Sequence, residues 1–98
     1  MTEYTVTKYI KINNKIADME LLHTSSFENY LISYLDSGAK VVALQIDNEI
    51  KFARLSIEGT YENEPCEIEF YVHQDELEEK EKRYILTLML DYYNEIML

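Results

Sequence analysis

The segment from Cys66 to His73 constrains the fold more than any other part of the chain. Four apolar residues alternate there with four acidic or aromatic ones: Cys66, Glu67, Ile68, Glu69, Phe70, Tyr71, Val72 and His73. Because successive side chains of a β-strand point to opposite faces of a sheet, the alternation predicts a strand with one core face. The other face of this strand is acidic and aromatic.

Two further strands are predicted near the N-terminus, joined by a tight turn. An apolar series at alternate positions, interrupted by Lys8, indicates a half-buried strand: Val6, Ile10 and Ile12. Asn13-Asn14 tolerates the positive φ angles of a two-residue hairpin turn. The turn leads into a second strand, which we expect from Lys15 to about Leu22.

A helix is predicted over residues 26–37. Ser25 and Glu28 have the spacing of a capping box, and Gly38 suits the left-handed conformation that ends many helices. Large apolar side chains recur between these signals at helical intervals: Phe27, Tyr30, Leu31, Tyr34 and Leu35.

A second hairpin is predicted in the middle of the chain. Its arms are residues 41–46 and 50–57, and its turn lies near Asp47-Asn48-Glu49. Because the first arm is apolar on both faces, we expect it to be a central strand.

The chain ends in a long predicted helix that starts at Asp75, where Glu78 completes another capping-box spacing. One apolar face of this helix consists of Leu77, Tyr84, Ile85, Leu88, Tyr92 and Ile96. A second, roughly opposite face consists of Leu86, Met89, Leu90, Tyr93 and Met97. A sheet covers only one such face. The second must meet the helix over residues 26–37, another subunit or a partner, and its Met and Tyr residues favour self-association.

These elements predict an α+β fold in the order ββαβββα. The antiparallel sheet has about five strands, and both helices pack on one face. A chain of 98 residues has room for one small domain, which we expect to span residues 1–98.

Negative charge is concentrated in the C-terminal half. The net charge is −10, yet residues 1–54 hold seven acids and six bases, whereas residues 55–98 hold twelve acids and three bases. Ten of the acids fall between Glu58 and Glu81. The helix dipole explains those at residues 75–79. The acids of the preceding strand and turn have no such explanation, and the alternative to a function for them is a merely solvated face.

Composition excludes several classes of function. A chain this acidic does not attract nucleic acids or anionic membranes, which bind Lys and Arg. Cys66 is the only cysteine, so no intramolecular disulfide forms, and we expect acidic surroundings to raise its thiol pKa. His23 and His73 stand in no metal-ligand spacing, and Gly38 and Gly59 form no phosphate loop. We predict a cytoplasmic, non-enzymatic protein without cofactor or metal.

The remaining hypothesis is recognition of a basic protein. The residues predicted to bind it are Glu58, Tyr61, Glu62, Glu64, Glu67, Glu69, Tyr71, Glu76 and Glu79. Such a surface imitates the phosphate rows of a nucleic acid and fits the groove of a nuclease or another nucleic-acid-binding protein. In size and charge alone, the chain resembles inhibitors that phages and mobile elements use against restriction or CRISPR nucleases. We therefore expect an acidic inhibitor of this anti-CRISPR-like or anti-restriction-like kind.

Two alternatives remain open. One is an immunity protein or chaperone for a cationic toxin or effector, which would use the same acidic surface. The other is a structural homodimer, formed through the second face of the last helix, in which acidity serves only solubility.

Overall fold

The structure is a computed structural model that describes residues 6–47, 52–73 and 79–97. The predicted ββαβββα order and the five-stranded antiparallel sheet with two helices are confirmed. The elements are β1 (Val6–Ile12), β2 (Lys15–Leu22), α1 (Thr24–Asp36), β3 (Val41–Asp47), β4 (Phe52–Tyr61), β5 (Glu64–His73) and α2 (Glu79–Met97).

The first hairpin forms as its sequence predicts. Asn13 and Asn14 have φ angles of 53° and 64°, the left-handed values that a two-residue turn between twisted strands requires. The register shifts between Ile10 and Lys11, which are opposite Asp18 and Ile16, so that β2 bulges there.

Helix α1 starts earlier than predicted and ends as predicted. Its N-cap is His23, so the expected capping box is wrong, and Ser25 lies inside the first turn. At the other end Gly38 has a φ of 75°, and its N–H donates to the Leu35 carbonyl. The N–H of Ala39 donates to the Tyr34 carbonyl, which completes a Schellman motif.

The strands lie in the order β2-β1-β5-β4-β3, and every neighbouring pair is antiparallel. Strand β3 is therefore an edge strand, and the expectation of a central strand for residues 41–46 is wrong. Its apolar side chains are only half-buried or, at Val42, exposed. The predicted turn at residues 47–49 falls largely outside the described residues.

The core lies between the sheet and both helices. Phe27 of α1 meets Phe70 of β5 edge to face, with ring centroids 5.2 Å apart. The buried apolar residues of β1, β4 and β5 share one face according to the register: Val6, Ile10, Ala53, Leu55, Ile57, Ile68, Phe70 and Val72. We call the opposite face of the sheet, against which neither described helix packs, the open face.

Helix α2 buries a different stripe from the two predicted. Ile85 and Tyr92 of the first face are buried, but so is Met89 of the second, whereas Tyr84 is exposed. Ile85, Met89 and Tyr92 lie at helical spacing on one side of α2. The prediction of two opposite apolar faces is therefore wrong, because residues from both predicted faces form this single buried side. The predicted cap at Asp75 and Glu78 lies outside the described residues.

Lys8 sits at a core position of β1, where it interrupts the apolar series. Its register places it opposite Phe70 and Glu20, and it is buried. The Lys8 ammonium pairs with the Glu20 carboxylate at 3.3 Å. Burial would lower the pKa of Lys8, but Tyr34, Tyr30 and Glu20 outweigh it, so that the pKa lies above its usual value.

Neither α1 nor the described length of α2 has the length and apolarity that crossing a lipid bilayer requires.

Candidate protein-interaction surface

The acidic end of the β4–β5 hairpin is built on two long strands with a two-residue connection. Glu62 and Asn63 form the turn with φ angles of 50° and 68°, and the register pairs Tyr61 with Glu64. Both strands are ten residues long, so the carboxylates near the turn project from a rigid scaffold.

The register divides the predicted binding residues between two faces of the sheet. Because side chains alternate between the two faces along β4 and β5, Tyr61 and Glu64 occupy positions on the core face of the sheet. The ring of Tyr61 accordingly packs against the core, whereas Glu64 is exposed. The residues on the open face are Glu58, Glu67, Glu69 and Tyr71. The predicted single surface is therefore corrected to two smaller ones that share the exposed turn at Glu62.

On the open face, Glu58 and Glu67 lie directly opposite each other. Glu58 is exposed and Glu67 half-buried, and in the described part of the chain no cation comes within 4 Å of either carboxylate. Lys11 lies opposite Glu67 on the other side, but its ammonium contacts the Glu69 carboxylate instead. Like charges directly opposite in a sheet destabilise it, so this pair is electrostatically unfavourable for folding.

Glu69 does not present its charge to solvent. It is only 5% exposed, and its carboxylate accepts a hydrogen bond from Lys11 at 3.1 Å and pairs with Arg54 at 3.6 Å. The expectation that Glu69 lacks a structural role is therefore wrong, because it neutralises two cations of neighbouring strands. The adjacent Ser56 is fully buried, and its hydroxyl has no hydrogen-bond partner within residues 6–47, 52–73 and 79–97.

Tyr71 contributes to a small aromatic cluster on the open face. Its ring stacks on that of Phe52, with centroids 5.3 Å apart and planes 14° from parallel. Stacking of this kind fixes both rings, so they form a rigid apolar patch beside the Glu69 ion pairs. Glu76 and the side chain of Glu79 lie outside the described residues.

A shallow hollow of about 500 Å³ lies where the acidic end of β4–β5 meets the β1–β2 turn. Lys11, Asn13 and Asn14 line one side, and Glu58 and Glu67 line the other. Cys66 also borders the hollow. Burial raises the pKa of its thiol and Lys8 opposes this, so the predicted direction is right but burial, not the glutamates, is the cause.

The predicted self-association residues do not form one exposed face. Met89 is buried in the core, Leu86 and Tyr93 are half-buried, and only Leu90 is exposed, while the side chain of Met97 lies outside the described residues. Exposed apolar side chains that were not predicted to form an interface occur elsewhere: Ile16, Met19 and Leu21 on β2, Ile32 and Leu35 on α1, and Val42 on β3. The alternation of Met19 and Leu21 in β2 is the signal in the sequence that would have indicated the exposed apolar side chains of this strand.

Within the described part of the chain, no group of three or more His, Cys, Asp or Glu residues is arranged to hold a metal ion. His23 is exposed, and the side chain of His73 is not described.

Comparison with protein-family models, with curated proteins and with solved structures gave no match to this chain.

Proposed function

We propose that this protein is a non-enzymatic binding module that docks a basic protein partner on the acidic end of the β4–β5 hairpin. The observation that carries the proposal is the cross-strand pair of Glu58 and Glu67, two carboxylates directly opposite each other without a described cation between them. A like-charged pair of this kind destabilises the folded state. A cationic partner would convert that cost into binding energy.

The negative charge of the surrounding surface also favours a basic partner. Glu62 and Glu64 are exposed at and beside the turn, so four carboxylates occur within ten residues, from Glu58 to Glu67. Lysine and arginine side chains bind carboxylates through charge-assisted hydrogen bonds. The hollow beside the pair, also lined by the polar side chains of Asn13 and Asn14, has space for such a side chain.

The partner class we propose is a nucleic-acid-binding protein, in particular a nuclease. The basic grooves of these proteins bind rows of phosphates, and a rigid hairpin with repeated carboxylates offers comparable charge. Occupation of the groove would exclude the nucleic acid and inhibit the enzyme. Association would be fast at low salt and slower at high salt, because long-range attraction guides the encounter.

The test compares two double charge reversals. Glu58→Lys/Glu67→Lys alters the acidic pair, whereas Asp18→Lys/Asp36→Lys alters two exposed acids on β2 and α1 and raises the net charge by the same amount. Binding to a panel of purified basic nucleases, and inhibition of their DNA cleavage, are measured at low and high salt. We expect the first variant to bind at least about tenfold more weakly and the second to bind like the wild type.

Equal weakening by both variants would mean that net charge alone attracts the nucleases, and the proposal would be rejected. Binding that ignores salt and both charge reversals would reject it as well.

A further inference from the structure

A groove between α1 and α2 offers a second binding surface, on the side of the molecule opposite the open face. Its volume is about 160 Å³, and its floor is apolar, formed by Leu31, Leu35, Leu88 and Tyr92. A cavity of about 150 Å³ holds a molecule the size of benzene. The groove is therefore large enough for one aliphatic or aromatic side chain of a binding partner.

The apolar lining of the groove is partly exposed to solvent on α1. Ile32 is 51% exposed and Leu35 is 36% exposed, although both line the groove. Apolar side chains that adjoin a cavity and stay exposed are typical of sites that become covered by a partner.

Carboxylates surround the groove: Glu28 on α1, and Asp91 and Glu95 on α2. No lysine or arginine occurs in Thr24–Asp36 or between Tyr84 and the last residue of the chain. Glu28 accepts a hydrogen bond from the Tyr84 hydroxyl at 2.6 Å. Within the described residues, neither Asp91 nor Glu95 pairs with a cation.

This charge pattern decides between the two kinds of occupant. A second copy docked helix face to helix face would bring the carboxylates of one groove toward those of the other, and like charges across an interface oppose association. A cationic occupant faces no such repulsion and gains from all three carboxylates.

We propose that the groove receives a short basic amphipathic helix of a partner protein, whose apolar side chain enters the groove while lysines or arginines contact Glu28, Asp91 and Glu95. This is the helix-in-groove mode of recognition, in which apolar anchors at helical spacing give affinity. The inference does not rest on the proposed function, because Glu58 and Glu67 lie on the open face.

The probe is a fluorescein-labelled lysine-rich peptide with leucines at positions i, i+3, i+4 and i+7, measured by fluorescence anisotropy. A peptide of the same composition with its leucines scattered around the helix controls for charge. A third peptide with glutamate in place of lysine controls for the apolar face. We expect only the first peptide to bind well.

Two variants of the groove are paired with matched controls. Ile32→Ser/Leu35→Ser removes exposed apolar surface at the groove, and Ile16→Ser/Leu21→Ser removes comparable surface from β2. Asp91→Asn/Glu95→Gln neutralises the surrounding carboxylates, and Asp18→Asn/Asp36→Asn neutralises two exposed carboxylates outside the groove. We expect each groove variant to weaken the peptide about tenfold and each control to bind like the wild type.

Equal binding of the scattered peptide, or equal binding to all four variants, would overturn the inference. Sedimentation at two concentrations tests the rival occupant. A dimer that Ile32→Ser/Leu35→Ser abolishes would show that a second copy covers the groove, and would also overturn the inference.

Discussion

The ammonium of Lys8 lies 4.2 Å from the centroid of the Tyr30 ring, which joins a core position of β1 to helix α1. The same ammonium pairs with Glu20 of β2, whose carboxylate also accepts a hydrogen bond from the Tyr30 hydroxyl at 3.1 Å. Three elements therefore meet at one cation. This arrangement explains why a lysine occupies a position where the alternation of β1 calls for an apolar residue.

Replacing this lysine tests how much the cation contributes. Lys8→Met keeps the apolar stem but removes the charge, and we expect the free energy of unfolding to fall by about 1 kcal/mol, since the ion pair and the cation–π contact are lost. Lys8→Ala also removes the stem and should cost more. Urea unfolding measures both, with Lys15→Met at an exposed position of β2 as the control. A Lys8→Met variant more stable than the wild type would mean that desolvation of the ion pair outweighs its attraction.

Glu69→Gln is expected to affect stability rather than binding. The substitution preserves shape but leaves Lys11 and Arg54 without their common carboxylate, so we predict a loss of about 1–3 kcal/mol in the free energy of unfolding. Glu64→Gln, at an exposed position of the same strand, should change stability by less than about 0.5 kcal/mol. If Glu69→Gln matches Glu64→Gln in urea unfolding, the ion pairs are not stabilising.

Gly59→Ala is expected to strain the core. A Cβ at this position would lie 2.5 Å from Cδ1 of Ile68, which is buried. We predict a loss of about 1–3 kcal/mol, because the crowded side chain has to leave its preferred rotamer. Ile68→Val removes Cδ1, so Gly59→Ala should cost less in that background. A double-mutant cycle in urea measures the difference, and additive costs would show that this contact is not the cause.

Stability is expected to fall steeply at alkaline pH. Burial raises the pKa of Cys66, Tyr34 and Tyr92, the last to about 12, and the hydrogen bond to Glu28 raises that of Tyr84. The pKa of Lys8 is raised as well. Each group keeps its proton in the folded state at a pH where the unfolded state has begun to lose it. The free energy of unfolding should therefore decrease as the pH rises from about 9 to 12.

Tyr92→Phe measures how much Tyr92 contributes to the loss of stability at alkaline pH. The variant removes a buried hydroxyl that lacks a described hydrogen-bond partner, so stability at pH 7 should be unchanged or higher by up to about 1 kcal/mol. Between about pH 10 and 12 its stability should fall less steeply than that of the wild type. Urea unfolding at pH 7, 10 and 11 checks both effects, and parallel pH profiles would contradict the role assigned to Tyr92.

Local signals in the sequence predicted most of the secondary structure. The turn at Asn13-Asn14 and the helix end at Gly38 were predictable because each depends on the conformational tolerance of one or two residues. The strand around Phe70 was predictable because its alternation extends over eight residues. The start of α1 was less clear, because several residues around His23 offer competing cap positions.

The surface was harder to predict than the fold, because it depends on pairing between distant strands. Lys11 and Glu69 are 58 residues apart, so no local pattern indicates that they form an ion pair across β1 and β5. In addition, the sequence pattern of an apolar strand such as β3 does not show whether the strand lies at the edge or in the centre of a sheet. Its position follows from which strand β4 pairs with on its other side.

The pairing of β1 with β5 has a consequence for how the chain folds. Three hairpins connect neighbouring strands, but in the described part of the chain the β1–β2 hairpin pairs with the other three strands only through the ladder that links Thr7 to Tyr71 and Lys11 to Glu67. Such distant pairing closes a long loop and slows folding. On the ribosome, β1 therefore cannot pair with β5, and its apolar side stays uncovered on that edge, until β5 has left the exit tunnel. During that interval the nascent chain is most exposed to aggregation and to chaperones.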